Sequence, residues 1–204
     1  MGSLAVTVVD HGAGNIRSVV RACKRVGADV VVSADPAVVA RADRIVLPGQ
    51  GAFGDCMSRL RASGLDQVVV RHIEAERPYL GICLGLQVLF DEGLEHGVHR
   101  GLGVLRGRCI PLPVTPGIKI PHMGWNTVHH DGSEGLSAVV DGEHYYFVHS
   151  YHVELSGGSV PEHSTTEHGI DFVSAVAHGS LLACQFHPEK SHKAGLSLLE
   201  KFLT

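Results

Sequence analysis

The chain has 204 residues, of which 44% are hydrophobic and 19% are charged. This balance is typical of a chain that buries a sizeable core, and it excludes disorder as the main state. Seventeen Lys and Arg against 21 Asp and Glu give a net charge of -4 with no basic block, so nucleic acid is not expected as a partner.

The first half of the chain predicts alternating strands and helices. Residues 4–9 predict a buried strand, and the helix that follows has Asn15 as its expected N-cap residue and Gly27 as its stop. The further elements predicted in this half are strands at 30–32, 44–47 and 79–82, and helices that open at Asp35-Pro36, around 57–60 and at 65–73. Repeated alternation of this kind predicts a parallel sheet with helices on both faces.

The second half predicts short strands and many turns. Strands are expected at 102–106, 127–130, 145–148, 172–177 and 181–186, and an amphipathic helix after Pro188 closes the chain. We therefore expect a three-layer α/β fold with a mostly parallel central sheet, helices on both faces, and a strand-rich, partly antiparallel second half. One domain is expected over residues 1–204.

No membrane span or export signal is predicted. The longest stretch free of charged residues and histidine, residues 78–90, is too short for a bilayer, which needs ~20 residues. Residues 1–10 contain neither a basic n-region nor a cleavage site, so a cytoplasmic location is expected.

The cysteines and histidines do not predict a metal site. None of the five cysteines falls in a CxxC pair, so neither a disulfide framework nor a thiolate zinc site is indicated. The pairs His149 with His152 and His129 with His130 could hold a metal, but no third ligand stands at a recognisable spacing. We expect no metal.

A cysteine stands in the strongest local motif. The segment Gly81-Ile82-Cys83-Leu84-Gly85 ends a predicted strand and enters a helix expected to hold residues 87–90, an arrangement typical of a nucleophile elbow. The glycines allow the sharp turn, and the start of the helix favours a thiolate. On this pentapeptide alone, a buried structural cysteine is an equally good interpretation.

A second motif supplies a base. Pro188 disfavours the helical conformation at His187, so His187 and Glu189 are expected to project from an extended segment on the same side. A cysteine nucleophile needs a base, and the base needs a carboxylate that fixes its tautomer. Together with the cysteine elbow, the pair predicts a Cys-His-Glu triad.

The two motifs, 81–87 and 186–189, resemble those of the class I, or triad-type, glutamine amidotransferases. Segments 10–15, 121–126 and 145–151 are similar to those of family members that supply ammonia to a (βα)8-barrel cyclase partner in a heterodimer of histidine biosynthesis. The resemblance implies hydrolysis of glutamine to glutamate and ammonia without a cofactor. Two alternatives are a glutaminase subunit of another synthase, for pyridoxal phosphate or anthranilate, and a non-catalytic binding subunit of the same fold.

The resemblance implies a role for each matching residue. It makes Cys83 the nucleophile, His187 the general base and acid, and Glu189 the residue that orients His187. It assigns an oxyanion hole to the backbone N–H groups of Leu84 and Gln50, the second of which becomes available when the loop at 48–51 reorients. Valine is frequent in the family where this chain has Gln50, but a donor N–H exists in either case.

The resemblance also implies contacts with substrate and partner. The residues expected to hold glutamine are Gly49, Gln87, Ser150 and Tyr151. The residues expected near the cyclase interface are Asn15, Trp125, Asn126, Tyr145 and Lys190.

A nucleotide-binding fingerprint is present but incomplete. Residues 49–54 satisfy G-x-G-x-x-G after a strand, yet a dinucleotide site also requires an acidic residue at the end of the next strand, ~20 residues on. Glu74 stands near that distance, but residues 68–75 predict a helix. We therefore do not expect a nucleotide cofactor.

Overall fold

A computed structural model describes residues 4–157 and 160–204. Met1–Ser3, which belong to the segment assessed for export, lie outside the described residues. The α-helices are α1 (Ile16–Arg25), α2 (Pro36–Val39), α3 (Phe53–Ser63), α4 (Leu65–Glu74), α5 (Leu84–Gln87) and α6 (His192–Leu203). The strands are β1 (Ala5–Val9), β2 (Asp29–Ser33), β3 (Ile45–Gly49), β4 (Tyr79–Cys83), β5 (Phe90–Gly93), β6 (His99–Arg100), β7 (Leu105–Pro111), β8 (His122–Thr127), β9 (His144–His149), β10 (Tyr151–Leu155), β11 (Glu162–Glu167), β12 (Asp171–His178) and β13 (Leu181–Cys184).

A seven-stranded sheet forms the middle layer. Its strand order is β11-β12-β13-β4-β3-β1-β2, with parallel pairing from β13 to β2 and antiparallel pairing at β11 and β12. β3 and β4 are buried along their whole length because they lie in the centre of the sheet. The mostly parallel α/β prediction is confirmed.

Alternate residues of the central strands serve two separate cores. Val46 and Leu80 pack on one face with residues of α1 and α6, whereas Leu47 and Tyr79 pack on the other face with residues of α3 and α4. Successive side chains of a strand point to opposite faces, so a fully apolar strand can bury both. Helices therefore cover both faces, and the predicted three layers are present.

Helix α1 begins and ends close to the predicted positions. At its end, the Gly27 N–H donates to Lys24 O and the Ala28 N–H to Cys23 O, a Schellman motif in which Gly27 takes a φ of 88°. At its start, Asn15 occupies the N-cap position but its side chain makes no capping hydrogen bond. The predicted N-cap position is therefore confirmed, but the side chain does not cap the helix, because a ψ of 55° keeps Asn15 out of the extended conformation of a capping residue.

The helix after Cys83 is shorter than predicted. It ends at Gln87, and Phe90 begins β5 instead. The carbonyl groups of Val88 and Phe90 accept from the N–H groups of Leu102 and Gly103, so they are not available to a continuing helix. Residues 90–93 pair with β6 and β7 in a second sheet, of order β10-β7-β5-β6.

Several strands of the second half differ from the prediction. β8 covers 122–127 rather than 127–130, β7 covers 105–111 rather than 102–106, and β13 ends at Cys184. β5, β6, β10 and β11 were not predicted. In β11 the buried positions are Ser164 and Thr166, whose hydroxyl groups bond to Ser174 Oγ and Thr127 O, so the strand shows no apolar alternation.

The pairing of β8 with β9 makes a two-stranded antiparallel sheet beside the central one, with Trp125 opposite Tyr146 and His122 opposite His149. Within residues 4–157 and 160–204, no helix has the length and apolar character needed to cross a membrane.

Candidate active site

Cys83 stands at a sharp backbone turn between β4 and α5. It has a φ of 54° and a ψ of -105°, a left-handed conformation that is costly for a residue with a side chain. A Cβ atom at Gly85 would lie 2.0 Å from Leu47 O, and one at Gly81 would lie 2.5 Å from Gly85 O. Both flanking residues must therefore be glycine for the turn to close against the neighbouring strand.

His187 and Glu189 form a buried pair, with His187 Nδ1 2.9 Å from Glu189 Oε1. His187 is extended, with a φ of -105° and a ψ of 95°, as the following Pro188 requires. Because the carboxylate accepts at Nδ1, the ring presents Nε2 on its other side. Burial lowers the pKa of His187, but Cys83 and Glu189 outweigh burial and raise it to about 9. The structure thus places base and carboxylate as predicted, with Cys83 next to the ring.

Three backbone-linked hydrogen bonds fasten His187 to strand β9. The His187 N–H donates to Tyr146 O over 2.8 Å, and the Ser191 hydroxyl donates to His187 O over 2.6 Å. The Tyr146 N–H in turn donates to Ser191 Oγ over 3.0 Å. The base is therefore held by a strand of the two-stranded sheet, although its chain segment follows β13 of the central sheet.

Gln185 is a neighbour of the nucleophile that neither sequence motif predicts. Its side chain is fully buried, and its Nε2 donates to Cys83 Sγ over 3.4 Å. Gln185 Oε1 accepts from Gln87 Nε2 over 3.0 Å. The sequence spacing could have indicated this contact, because Gln185 precedes His187 by two residues on an extended segment and therefore faces the same side.

Cys83 lines a cavity whose volume is about 500 Å³. The other four cysteines, Cys23, Cys56, Cys109 and Cys184, are buried and unpaired. The residues that line the cavity are Gln50, Gly51, Cys83, Leu84, Gln87, Glu95, Pro121, Val148, His149, Ser150, Tyr151, His187 and Lys190. The predicted glutamine contacts Gln87, Ser150 and Tyr151 thus lie around the thiol, and Gly49 lies at the adjoining end of β3.

The loop at 48–53 is anchored at both ends. His11 Nε2 donates to Pro48 O over 3.0 Å, and the Phe53 N–H donates to Glu95 Oε2 over 2.6 Å. Between these anchors Gly51 takes a φ of 105°, where a glycine is favoured. Neither His11 nor Glu95 was selected from the sequence, because each acts across more than 35 positions of chain.

Four of the five predicted interface residues are at least partly exposed, and Lys190 also lines the cavity. Trp125 is 44% exposed and stacks on His192, and Lys190 Nζ lies 5.4 Å from the centre of the Tyr146 ring. Asn15 and Asn126 are half-buried. Met123 is also exposed and lies on β8, two positions before Trp125, so the two side chains form an apolar surface on the same side of the strand.

Tyr145 is the exception, and its prediction as an interface residue is wrong. Its side chain is fully buried and stacks on Phe186, and its hydroxyl oxygen accepts from the Val140 N–H. Strand β9 alternates, so Tyr145 points into the core and Tyr146 points toward the surface beside Trp125.

Two of the four histidines considered as metal ligands, His130 and His149, take part in hydrogen bonds through their rings. His130 Nε2 donates to Val139 O, and His149 bonds to Tyr151 O and to His122. No group of three or more metal-ligating side chains occurs in the described part of the chain.

A family model described as glutamine amidotransferase class-I matches residues 7–204. The chain belongs to this family. Among curated relatives, a protein of Aquifex aeolicus named imidazole glycerol phosphate synthase subunit HisH is 50% identical over 201 residues, which cover 98% of this chain and 96% of the relative. A protein of Rhodopirellula baltica with the same name is 43% identical over 98% of this chain and 97% of its own length.

Solved structures share the fold of this class I glutamine amidotransferase at low identity. One of them, a glutamine amidotransferase, has a TM-score of 0.74 at 21% identity and covers 97% of this chain and 96% of its own. A putative GMP synthase component from Thermoplasma acidophilum has a TM-score of 0.72 at 20% identity, with coverage of 100% and 94%. These structures bear on the fold alone.

The thiols should differ sharply in reactivity. A short exposure of the folded chain to iodoacetamide is expected to label Cys83 and to spare Cys23 and Cys56, because burial raises the pKa of both to about 12 and keeps them as thiols. Peptide mass spectrometry measures the label at each site. Cys83→Ser should remove it, and faster labelling of any other cysteine in the folded chain would contradict the assignment.

Proposed function

We propose that the chain is the glutaminase subunit of imidazole glycerol phosphate synthase. It hydrolyses glutamine to glutamate and ammonia and passes the ammonia to a cyclase subunit, which forms imidazole glycerol phosphate in histidine biosynthesis. The observation that carries this proposal is a buried histidine–carboxylate pair next to an elbow cysteine, in a chain 50% identical to a protein named as a subunit of that synthase. Residues 1–204 act as one domain in the cytoplasm.

The reaction uses the triad in two halves. The Cys83 sulfur attacks the carboxamide carbon of glutamine, and His187 gives its proton to the departing ammonia as the C–N bond breaks. His187 then takes a proton from water, whose oxygen attacks the thioester carbon. The C–S bond breaks, glutamate is released, and the free sulfur of Cys83 beside a protonated His187 ring is restored. Glu189 keeps Nδ1 of His187 protonated through both halves. The pKa of about 9 for His187 matches a ring that is charged beside the nucleophile at neutral pH.

Backbone N–H groups stabilise the oxyanion at both stages. Leu84 is the first residue of α5, so its N–H has no partner within the helix. Gln50 supplies the second N–H from the loop between the anchors at Pro48 and Phe53. Because the anchors hold the ends and Gly51 lies between, the peptide at Gln50 can turn without displacing β3 or α3. Binding of the partner favours the orientation that completes the hole.

The partner is a (βα)8-barrel cyclase, and the complex is a heterodimer. The docking surface includes Trp125, Asn126, Lys190 and Asn15, which lie around the cavity and on β8 and the start of α1. Met123 adds an apolar contact with 62% of its surface exposed. Tyr146 takes the place first expected for Tyr145.

Removal of the nucleophile should separate the two activities of the complex. Cys83→Ala should lower glutamine-dependent synthesis by ~10⁴-fold or more, and should leave ammonia-dependent synthesis unchanged because the thiol serves only hydrolysis. Steady-state assays with glutamine or ammonium salt measure both. Cys23→Ala is the control and should retain both activities; substantial glutamine turnover by Cys83→Ala would overturn the assignment.

The two partners of the nucleophile should not contribute equally. His187→Asn should reduce turnover ~10-fold or more beyond Glu189→Gln, because the first loses proton transfer and the second mainly orientation and charge. Glu189→Gln should also move the basic limb of the pH profile down from about 9, since the carboxylate helps to raise the pKa of His187. Single-turnover rates against pH test both parts, and a larger loss in Glu189→Gln would reverse the roles.

The loop donor can be tested by one conservative and one disruptive variant. Gln50→Val should be nearly neutral, whereas Gln50→Pro removes the N–H and should cost ~10²–10³ in turnover, the usual loss for one such donor. Alkylation of Cys83 should continue in both. Thermal unfolding of each variant controls for strain from the proline ring. If Gln50→Pro turns over normally, or Gln50→Val loses as much, the donor lies elsewhere.

A further inference from the structure

A hydrogen-bonded chain of side chains runs beneath β8 into the cavity wall. Asn126 Nδ2 lies 3.2 Å from His122 Nε2, and His122 Nδ1 lies 2.9 Å from His149 Nε2. His149 Nδ1 lies 2.8 Å from the carbonyl oxygen of Tyr151. The two rings are 4% and 6% exposed, so water does not compete with these bonds.

The acceptor at the end of this chain fixes the direction of every bond. A carbonyl only accepts, so His149 must carry its hydrogen on Nδ1, and a neutral ring then has only an acceptor at Nε2. His122 must therefore donate from Nδ1 and accept at Nε2, where the Asn126 amide supplies a hydrogen. Burial lowers the pKa of His149 to about 3 and that of His122 to about 4, so both rings are neutral at neutral pH.

The surroundings of the two rings hold them in place without supplying a counter-charge. Phe147 stacks on His122, and Phe172 lies 4.9 Å from His149 between ring centres. The titratable groups that face the pair are His168, whose ring stacks 4.0 Å from His122, and His152. Both are bases, so protonation of either would oppose a charge on the pair.

The carbonyl of Tyr151 connects this chain to the nucleophile. It also accepts from Gln87 Nε2 over 3.2 Å, and the same amide donates to Gln185 Oε1. Gln185 then donates to Cys83 Sγ. A displacement of the Tyr151 peptide would therefore disturb both the wall of the cavity and the amide that contacts the sulfur.

We propose that Asn126, His122 and His149, here named the histidine relay, are positioning residues that fix the Tyr151 carbonyl from strand β8. The proposal rests on the proposed function, because it takes the Tyr151 backbone as a wall of the glutamine pocket and β8 as the strand that meets the partner. None of the three side chains reacts. Through the three hydrogen bonds of the relay, a displacement of strand β8 would displace the Tyr151 carbonyl in the wall of the substrate pocket.

Two nearly isosteric variants separate a relay from a packing role. His122→Asn keeps an amide donor at the place of Nδ1, whereas His122→Leu has the same branching and better apolar packing but no donor. In the complex with the cyclase subunit, the KM for glutamine should stay within about threefold for His122→Asn and rise about tenfold or more for His122→Leu, because a buried acceptor at His149 is then unmatched. kcat should change less than KM, and ammonia-dependent synthesis should not change.

A packing role predicts the opposite order, with His122→Leu equal to or better than His122→Asn, and that order would overturn the proposal. Thermal unfolding of both variants identifies any loss of folded protein.

The unmodified chain gives a second test that needs no variant and no turnover. Long-range ¹H–¹⁵N spectra should show His122 and His149 in the Nδ1–H form between about pH 5 and pH 8, and an Nε2–H form at His149 would also overturn the proposal.

The two tests distinguish this proposal from the proposed function. Absence of glutamine turnover by the unmodified complex would overturn the proposed function, whereas the ring tautomers would still decide whether the relay exists. Normal turnover with equal KM values in both variants would overturn the relay alone.

Discussion

The backbone of Cys83 is the constraint on which the rest of the site depends. A left-handed residue at the end of a buried strand leaves no room for side chains beside it, so Gly85 lies against the carbonyl of Leu47 on β3. β4 therefore needs β3 on one side, and its other neighbour is β13. The first neighbour delivers the loop that contains Gln50, and the second delivers His187. Sheet order thus brings together groups that are far apart in the chain.

Among the buried histidines of the described residues, His187 differs from the others in the direction of its pKa shift. His187 lies between Cys83 and Glu189, and its raised pKa keeps a proton there. The buried histidines elsewhere have lowered pKa values, and burial raises those of the remaining thiols. A protonated ring in a desolvated site is stable only beside an anion. Burial alone would lower the pKa of His187, so its neighbours Cys83 and Glu189 are what keep the ring protonated.

Features set by adjacent residues could be predicted from the sequence, and features set by pairing between distant strands could not. The glycines around Cys83 and the effect of Pro188 on His187 are local, and both predictions agree with the backbone. Gln185 and the polar strand β11 depend on which strands lie side by side. The prediction of a helix beyond Gln87 was wrong for the same reason, since the carbonyl groups of residues 88–90 accept hydrogen bonds from residues 102–105. The prediction of Tyr145 as an interface residue was wrong for a different reason, since the alternation of side chains along the strand would by itself have placed Tyr145 in the core.

The hydrogen bonds between the segment of His187 and strand β9 connect the position of the base to the position of the exposed strand β8. Tyr146 bonds to the segment that carries the base and lies directly opposite Trp125 on the exposed strand. Trp125, which we propose as a partner contact, and His187, which we propose as the general acid and base, therefore belong to one mechanical unit, whereas Cys83 belongs to the central sheet. A substitution that displaces β9 at Tyr146 is therefore expected to displace His187 as well.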